Sequence, residues 1–283
     1  MKVRKSAFAG SWYPGSAAGC EKEIESFLKE YDTKTISERA LIGGIVPHAG
    51  WYFSGSIACN VIRCLQDEKP PDAFVIFGMH LHASSPSYIM TDGAWETPFG
   101  EIEIEKSLAG ALVEQFTFQI ETAENFTQDN TIELQLPFIK YFFEDTKIVP
   151  IGVPPAQKSL EIGKAMADIS NRMGLRIKVI GSTDLTHYGL NYGFVSQGTG
   201  PVAVDWVRNE NDRRVIDAML AMDSDKVIKE GLANQNACCS GAGATAIATA
   251  KQLGSKQTET IAYATSYDKS PGDSFVGYVG IVF

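Results

Sequence analysis

Six apolar, largely β-branched runs recur along the chain, most of them separated by stretches with helical periodicity: LIGGIVP (41–47), DAFVIFG (72–78), KIVPIGV (147–153), RIKVIG (176–181), ETIAYATS (259–266) and SFVGYVGIVF (274–283). A strand with one wet face alternates polar and apolar residues, whereas unbroken runs fit strands covered on both faces, the condition of a parallel sheet under helices. Helical windows fall at 18–31, 55–66, 105–117, 130–144, 158–173, 207–231 and 242–253. This alternation predicts a three-layer α/β/α sandwich around a largely parallel or mixed central sheet. With no repeat, low-complexity tract or linker in view, residues 1–283 are read as a single domain. The stretch 193–201, rich in Gly and Ser, reads as a long loop of the kind that often serves function.

A hydrophobic fraction of 44% is enough for a sizeable core, and a formal charge of −9 speaks against a nucleic-acid partner, which would need clustered Lys and Arg. The five cysteines are odd in number, contain no C-x-x-C pair and include the vicinal Cys238 and Cys239. That usage fits a reduced cytoplasm. The amino terminus lacks a secretion signal, and no window approaches the roughly 20 apolar residues that cross a bilayer, so a soluble cytoplasmic protein with no membrane partner is expected.

The four histidines all stand in polar turns just after apolar runs: His48 in IVPHAGW, His80 and His82 in FGMHLHASS, His187 in GSTDLTHYG. Open α/β sheets gather reactive groups where strands end, so these imidazoles are expected to share one site, joined by Cys238 or Cys239 from NACCSGAGA. Imidazole and thiolate are ligands for first-row transition metals, and three protein ligands leave positions open for chemistry. His80 and His82, two apart, point the same way in an extended chain, so either or both face the site. The small-residue helix after Cys239 favours thiolate at its amino end. Asp184 precedes His187 by three residues, a spacing that lets a carboxylate fix an imidazole tautomer in a general base. Asp129 caps the helix DNTIELQLPF, and Glu133 within it is placed to hold a ligand histidine. Trp12, Tyr13, Trp51 and Tyr52 suit either a pocket wall or the core, while Cys20, Cys59 and Cys64 lie in amphipathic windows and are assigned to packing.

Taken in order, AFAGSWYPGS, IVPHAGWYFSG, FGMHLHASS with TPFGEIEI, DNTIELQLPF, GSTDLTHYG and CCSGAGA resemble the Memo family, whose fold is similar to that of type III extradiol ring-cleavage dioxygenases, over nearly the whole chain. The resemblance implies a metal site of His48, His82 and Cys239, with His187 at the position of the dioxygenases' base and Asp184 at the acidic position before it. The chain departs from the family pattern at three places. The adjacent histidines are split as His80-Leu81-His82, a histidine is missing from the helix start at Asp129-Asn130-Thr131-Ile132-Glu133, and Ser240 follows Cys239 where Gly is usual.

The first expectation is therefore a Memo-type metal-binding redox protein, dioxygenase-like, with iron(II) or copper in a His/His/Cys cleft and zinc as a further ion. A thiolate in place of the dioxygenases' carboxylate softens the site. Two other readings stand beside it: a metal-free thiol hydrolase with Cys239 as nucleophile, His187 as base and Asp184 as orienter, and a non-catalytic module binding a protein or peptide in the same cleft.

Overall fold

The computed structural model describes residues 1–33, 36 and 40–283. In chain order its strands are β1 (Val3–Arg4), β2 (Gly43–Val46), β3 (Ala73–Gly78), β4 (Tyr88–Met90), β5 (Ala94–Thr97), β6 (Gly100–Glu103), β7 (Gln119–Glu121), β8 (Lys147–Gly152), β9 (Ile177–Ser182), β10 (His187–Gly189), β11 (Glu259–Thr265) and β12 (Ser274–Val282). All six expected strands form. The main sheet runs β10-β12-β2-β9-β3-β8-β4-β7, with β11 paired to β12. Its centre, β2, β9, β3 and β8, is parallel and almost wholly buried. Antiparallel β12 on one side and β4 on the other make the sheet mixed. β1, β5 and β6 form a separate small sheet.

Successive residues of β2 show why both faces had to be apolar. A Cβ on Gly44 would stand 2.6 Å from Val61 in helix Trp51–Cys64, whereas the side chain of Ile45, pointing the other way, reaches Gly181 and Gly243, the latter in helix Ser240–Gln252. The two helices thus cover opposite faces, and helix Gln157–Met173 packs against the second, with Gly163 against Thr245 and Thr249. The result is the expected three layers.

Two helical windows are divided. Residues 130–144 form Asn130–Glu133 and Leu136–Phe142, because Pro137 has no N–H to continue the first helix and is tolerated only in the first turn of the second. Residues 207–231 belong to a longer assembly that begins at Pro201–Trp206, passes through a π-helical turn at Val207–Asn211, and continues as Asp212–Leu220 and Ser224–Asn234. Met222, at a φ of 51°, turns the chain between the last two.

The amino-terminal segment is pinned across the sheet. Arg4 is buried between the rings of Trp95 and Phe126 and paired with Glu121 at 2.8 Å. Glu133 accepts the N–H groups of Ala7 and Phe8 at 2.8 and 2.7 Å and the Tyr13 hydroxyl at 3.0 Å. This brings the Trp12 carbonyl to the Trp51 N–H and sets Trp12 at the mouth of the site. Among the described residues no helix is long and apolar enough to cross a membrane.

Candidate metal centre

The strand order assembles the site. His48, Asp184 and His80 each lie two residues beyond the carboxyl ends of β2, β9 and β3, and β9 runs between the other two, so the three exits are neighbours. The turn before helix Ser240–Gln252 is tied to the same edge: the Cys238 N–H donates to the Asp184 carbonyl and the Cys239 N–H to Thr183 Oγ1, both at 3.1 Å. Donor atoms of His48, His80, Cys238 and Cys239 all lie within 4.8 Å of one another.

The hydrogen bonds fix which imidazole nitrogens face this group. Ser182 donates its single hydroxyl proton to the Thr131 carbonyl at 2.7 Å, so at 3.0 Å from His48 Nδ1 its oxygen can only accept. His48 therefore carries its proton on Nδ1 when neutral, and its Nε2 lone pair points at Cys238 Sγ, 3.2 Å away. The Asp129 carboxylate does the same for His80, accepting its backbone N–H at 3.1 Å and its Nδ1 at 3.0 Å while also capping the next helix at Thr131. That leaves His80 Nε2 for the sulfur. His187 Nδ1 stands 3.2 Å from the Leu185 carbonyl, an obligate acceptor, which leaves Nε2 as its basic atom.

Charge is shared unequally between the two sulfurs. Burial pushes the Cys238 thiol up, but Cys239, His48 and His80 outweigh it and hold it well below the usual range, and the Asp184 N–H at 3.3 Å also points at this sulfur. Burial and the neighbouring Cys238 push Cys239 well above its usual range. Burial opposes protonation of both histidines of the group. It is outweighed for His48 by Asp184 and Cys238, which raise it, and for His80 by Asp129 and Cys238, which push it up to about 10.

Of the group, His48 and His80 line a cavity of about 560 Å³ together with His187, Trp12, Tyr52, Tyr192 and Tyr278. Tyr13 and Trp51, by contrast, are core residues, Trp51 stacking on Phe138 with ring centroids 4.1 Å apart.

Several expectations are revised by this arrangement. His82 is exposed and outside the group, because Met79 takes a φ of 72° and turns the chain at the strand exit, so the alternation of an extended segment does not apply. His80, although its side chain is 45% exposed, is the one that joins the group. Both cysteines belong to the group, as either was expected to: Cys238 is in contact with His48 and Cys239 meets Cys238 at 3.7 Å. Glu133 holds no ligand histidine, since Ala7, Phe8 and Tyr13 occupy its carboxylate. Asp184 accepts the His48 N–H at 2.7 Å and faces the His48 ring at 3.9 Å, while His187 is held by Leu185 and by Tyr192, its ring 5.0 Å away. The nucleophile, base and orienter chain of Cys239, His187 and Asp184 is thus not assembled. Ser182 and Asp129 orient the two imidazoles; from the sequence Asp129 is given a capping place alone and Ser182 is not singled out.

A family model described as Memo-like protein matches residues 4–282. The chain is 33% identical to a MEMO1 family protein of Thermococcus onnurineus, covering 99% of each, and 34% identical to one of Pyrococcus furiosus, covering 99% of this chain and 98% of the relative. Among solved structures, an uncharacterized protein of Escherichia coli K12 shares the fold at a TM-score of 0.52 and 11% identity, over 86% of this chain and 99% of its own.

Proposed function

The chain belongs to the Memo family, and from that premise we propose that His48, His80 and Cys238 hold a redox-active transition-metal ion, iron or copper, beside a cavity that admits a small molecule, in a dioxygenase-like oxidoreductase. The observation that carries this reading is the pair of histidines whose Nδ1 protons are committed to Ser182 and Asp129, so that both Nε2 atoms are presented to one sulfur. Two imidazoles and a thiolate suit copper and iron, and zinc as well. Bound there, the ion would supply Lewis-acid and redox chemistry beside the cavity.

The remaining roles belong to the chain's own groups. His187, with Nε2 free and its ring against Tyr192, takes a proton from a molecule in the cavity or returns one. Asp184 anchors the His48 backbone and sets its ring. Trp12, Tyr52 and Tyr278 offer flat apolar walls that orient a ring-bearing or similarly flat substrate and limit water. Five free cysteines suit a reducing compartment such as the cytoplasm.

The test compares His48→Ala with His187→Ala in metal content and in oxygen uptake after anaerobic loading. The reading expects His48→Ala to lose metal, and His187→Ala to keep it while oxygen uptake falls by about 100-fold or more. Equal metal loss in both variants would overturn the division of roles. A metal-free wild type that retains a peptide partner would favour the binding-module alternative.

A further inference from the structure

We propose that Cys239 is a second thiolate ligand, so that this chain's centre is a four-donor set of His48, His80, Cys238 and Cys239 built for a soft ion of tetrahedral habit; the inference rests on the reading that this group holds a metal. Two thiolates on a tetrahedral ion with metal–sulfur bonds of about 2.3 Å stand about 3.8 Å apart, and an imidazole nitrogen and a thiolate on the same ion about 3.5 Å apart. The two sulfurs here are 3.7 Å apart, and His48 Nε2 is 3.2 Å from Cys238 Sγ. The sulfur pair already has the required bite, and the nitrogen needs to give only a few tenths of an ångström.

Adjacent residues in an extended chain send their side chains to opposite sides. Here the backbone of Cys239, at φ −123° and ψ 52° and anchored through its N–H to Thr183 Oγ1, stands at the start of the helix and brings its sulfur back to that of Cys238. The 3.7 Å approach serves as a thiol hydrogen bond in the metal-free chain and matches the bite of two thiolates on one ion, whereas Cys20, Cys59 and Cys64 are buried without joining any such group among the described residues.

Four nitrogen and sulfur donors fill a tetrahedral ion and leave no open position unless one donor departs, and two thiolates favour copper(I) or zinc over iron(II). Within the ions named above, the chain is therefore suited to copper or zinc, and access of a substrate to the ion requires a ligand to leave.

Cobalt(II) is a suitable probe, because its thiolate charge-transfer absorption grows with the number of sulfur ligands. Anaerobically loaded wild type and Cys239→Ser are compared at equal bound cobalt. The proposal expects about a twofold loss of that absorption in Cys239→Ser, with cobalt still bound. Equal absorption in the two proteins would overturn the fourth ligand and leave the three-ligand centre standing, whereas a wild type that binds neither cobalt nor zinc would overturn both. Should Cys239→Ser fail to fold, X-ray absorption of the zinc-loaded wild type decides: two sulfurs at about 2.3 Å support the proposal, and one sulfur contradicts it.

Discussion

Ser182→Ala isolates the device on which the centre depends. In the native chain the Ser182 hydroxyl accepts a hydrogen bond from His48 Nδ1 at 3.0 Å and donates its own to the Thr131 carbonyl, and both His48 and Ser182 are buried. Removing the oxygen leaves the Thr131 carbonyl with a longer bond from Gln135 Nε2 at 3.4 Å, so the main orphan is the His48 Nδ1 group. One buried donor without a partner costs about 1–3 kcal/mol of folding stability. The effect on metal is separate. Without Ser182 neutral His48 is free to carry its proton on Nε2, the atom that faces Cys238, and loss of such an outer partner lowers metal affinity by about 10–100-fold, or about 1.4–2.8 kcal/mol. Zinc affinity from chelator competition at neutral pH, together with urea unfolding of the metal-free chain, reads both quantities. A variant that loses stability but binds zinc as tightly as the wild type would refute the tautomer argument.

The two neighbouring histidines should separate cleanly: His80→Ala is expected to weaken zinc binding at least about 10-fold, and exposed His82→Ala to leave it unchanged, in the same competition assay. Glu133→Gln should lower stability by about 3 kcal/mol, since three donors lose a charged acceptor, without changing zinc affinity. A large loss of affinity would restore Glu133 to the metal site. Asp212, buried against Thr186 and Tyr263, is pushed up by burial to about 7 from an ordinary 3.8. The folded chain then holds a proton between about pH 4 and 7 that the unfolded chain has released, so this group makes stability fall as pH rises through that window. Urea titrations of wild type and Asp212→Asn should show that fall only in the wild type.

The sheet was legible because its central strands are covered on both faces, which leaves unbroken apolar runs such as DAFVIFG and KIVPIGV in the sequence. Strands β1, β4, β5, β6, β7 and β10 were not, being two to four residues long and set by pairing with neighbours rather than by their own pattern. At the site, the rule that reactive groups collect at strand exits was enough to single out His48, His80, His187 and the cysteine pair. It could not choose between His80 and His82, because that choice turns on the left-handed backbone of Met79, a non-glycine residue that gives no local warning. Asp129 caps its helix as expected, and the histidine contact expected of Glu133 falls to Asp129 as well, for a related reason. Both sit in one helical turn, and which carboxylate meets a histidine depends on residues more than forty positions away, His80 for the first and Ala7 for the second.

The central claim is that two imidazoles and the Cys238 sulfur grip one ion. Wild type and Cys238→Ser, loaded anaerobically with iron(II), copper(I) or zinc and freed of excess ion by gel filtration, give the direct measurement by metal analysis. The wild type should retain one ion per chain with at least one of the three metals, and Cys238→Ser should lose most of it. A wild type that emerges metal-free from all three loadings, or a Cys238→Ser variant that retains the ion in full, would contradict the account.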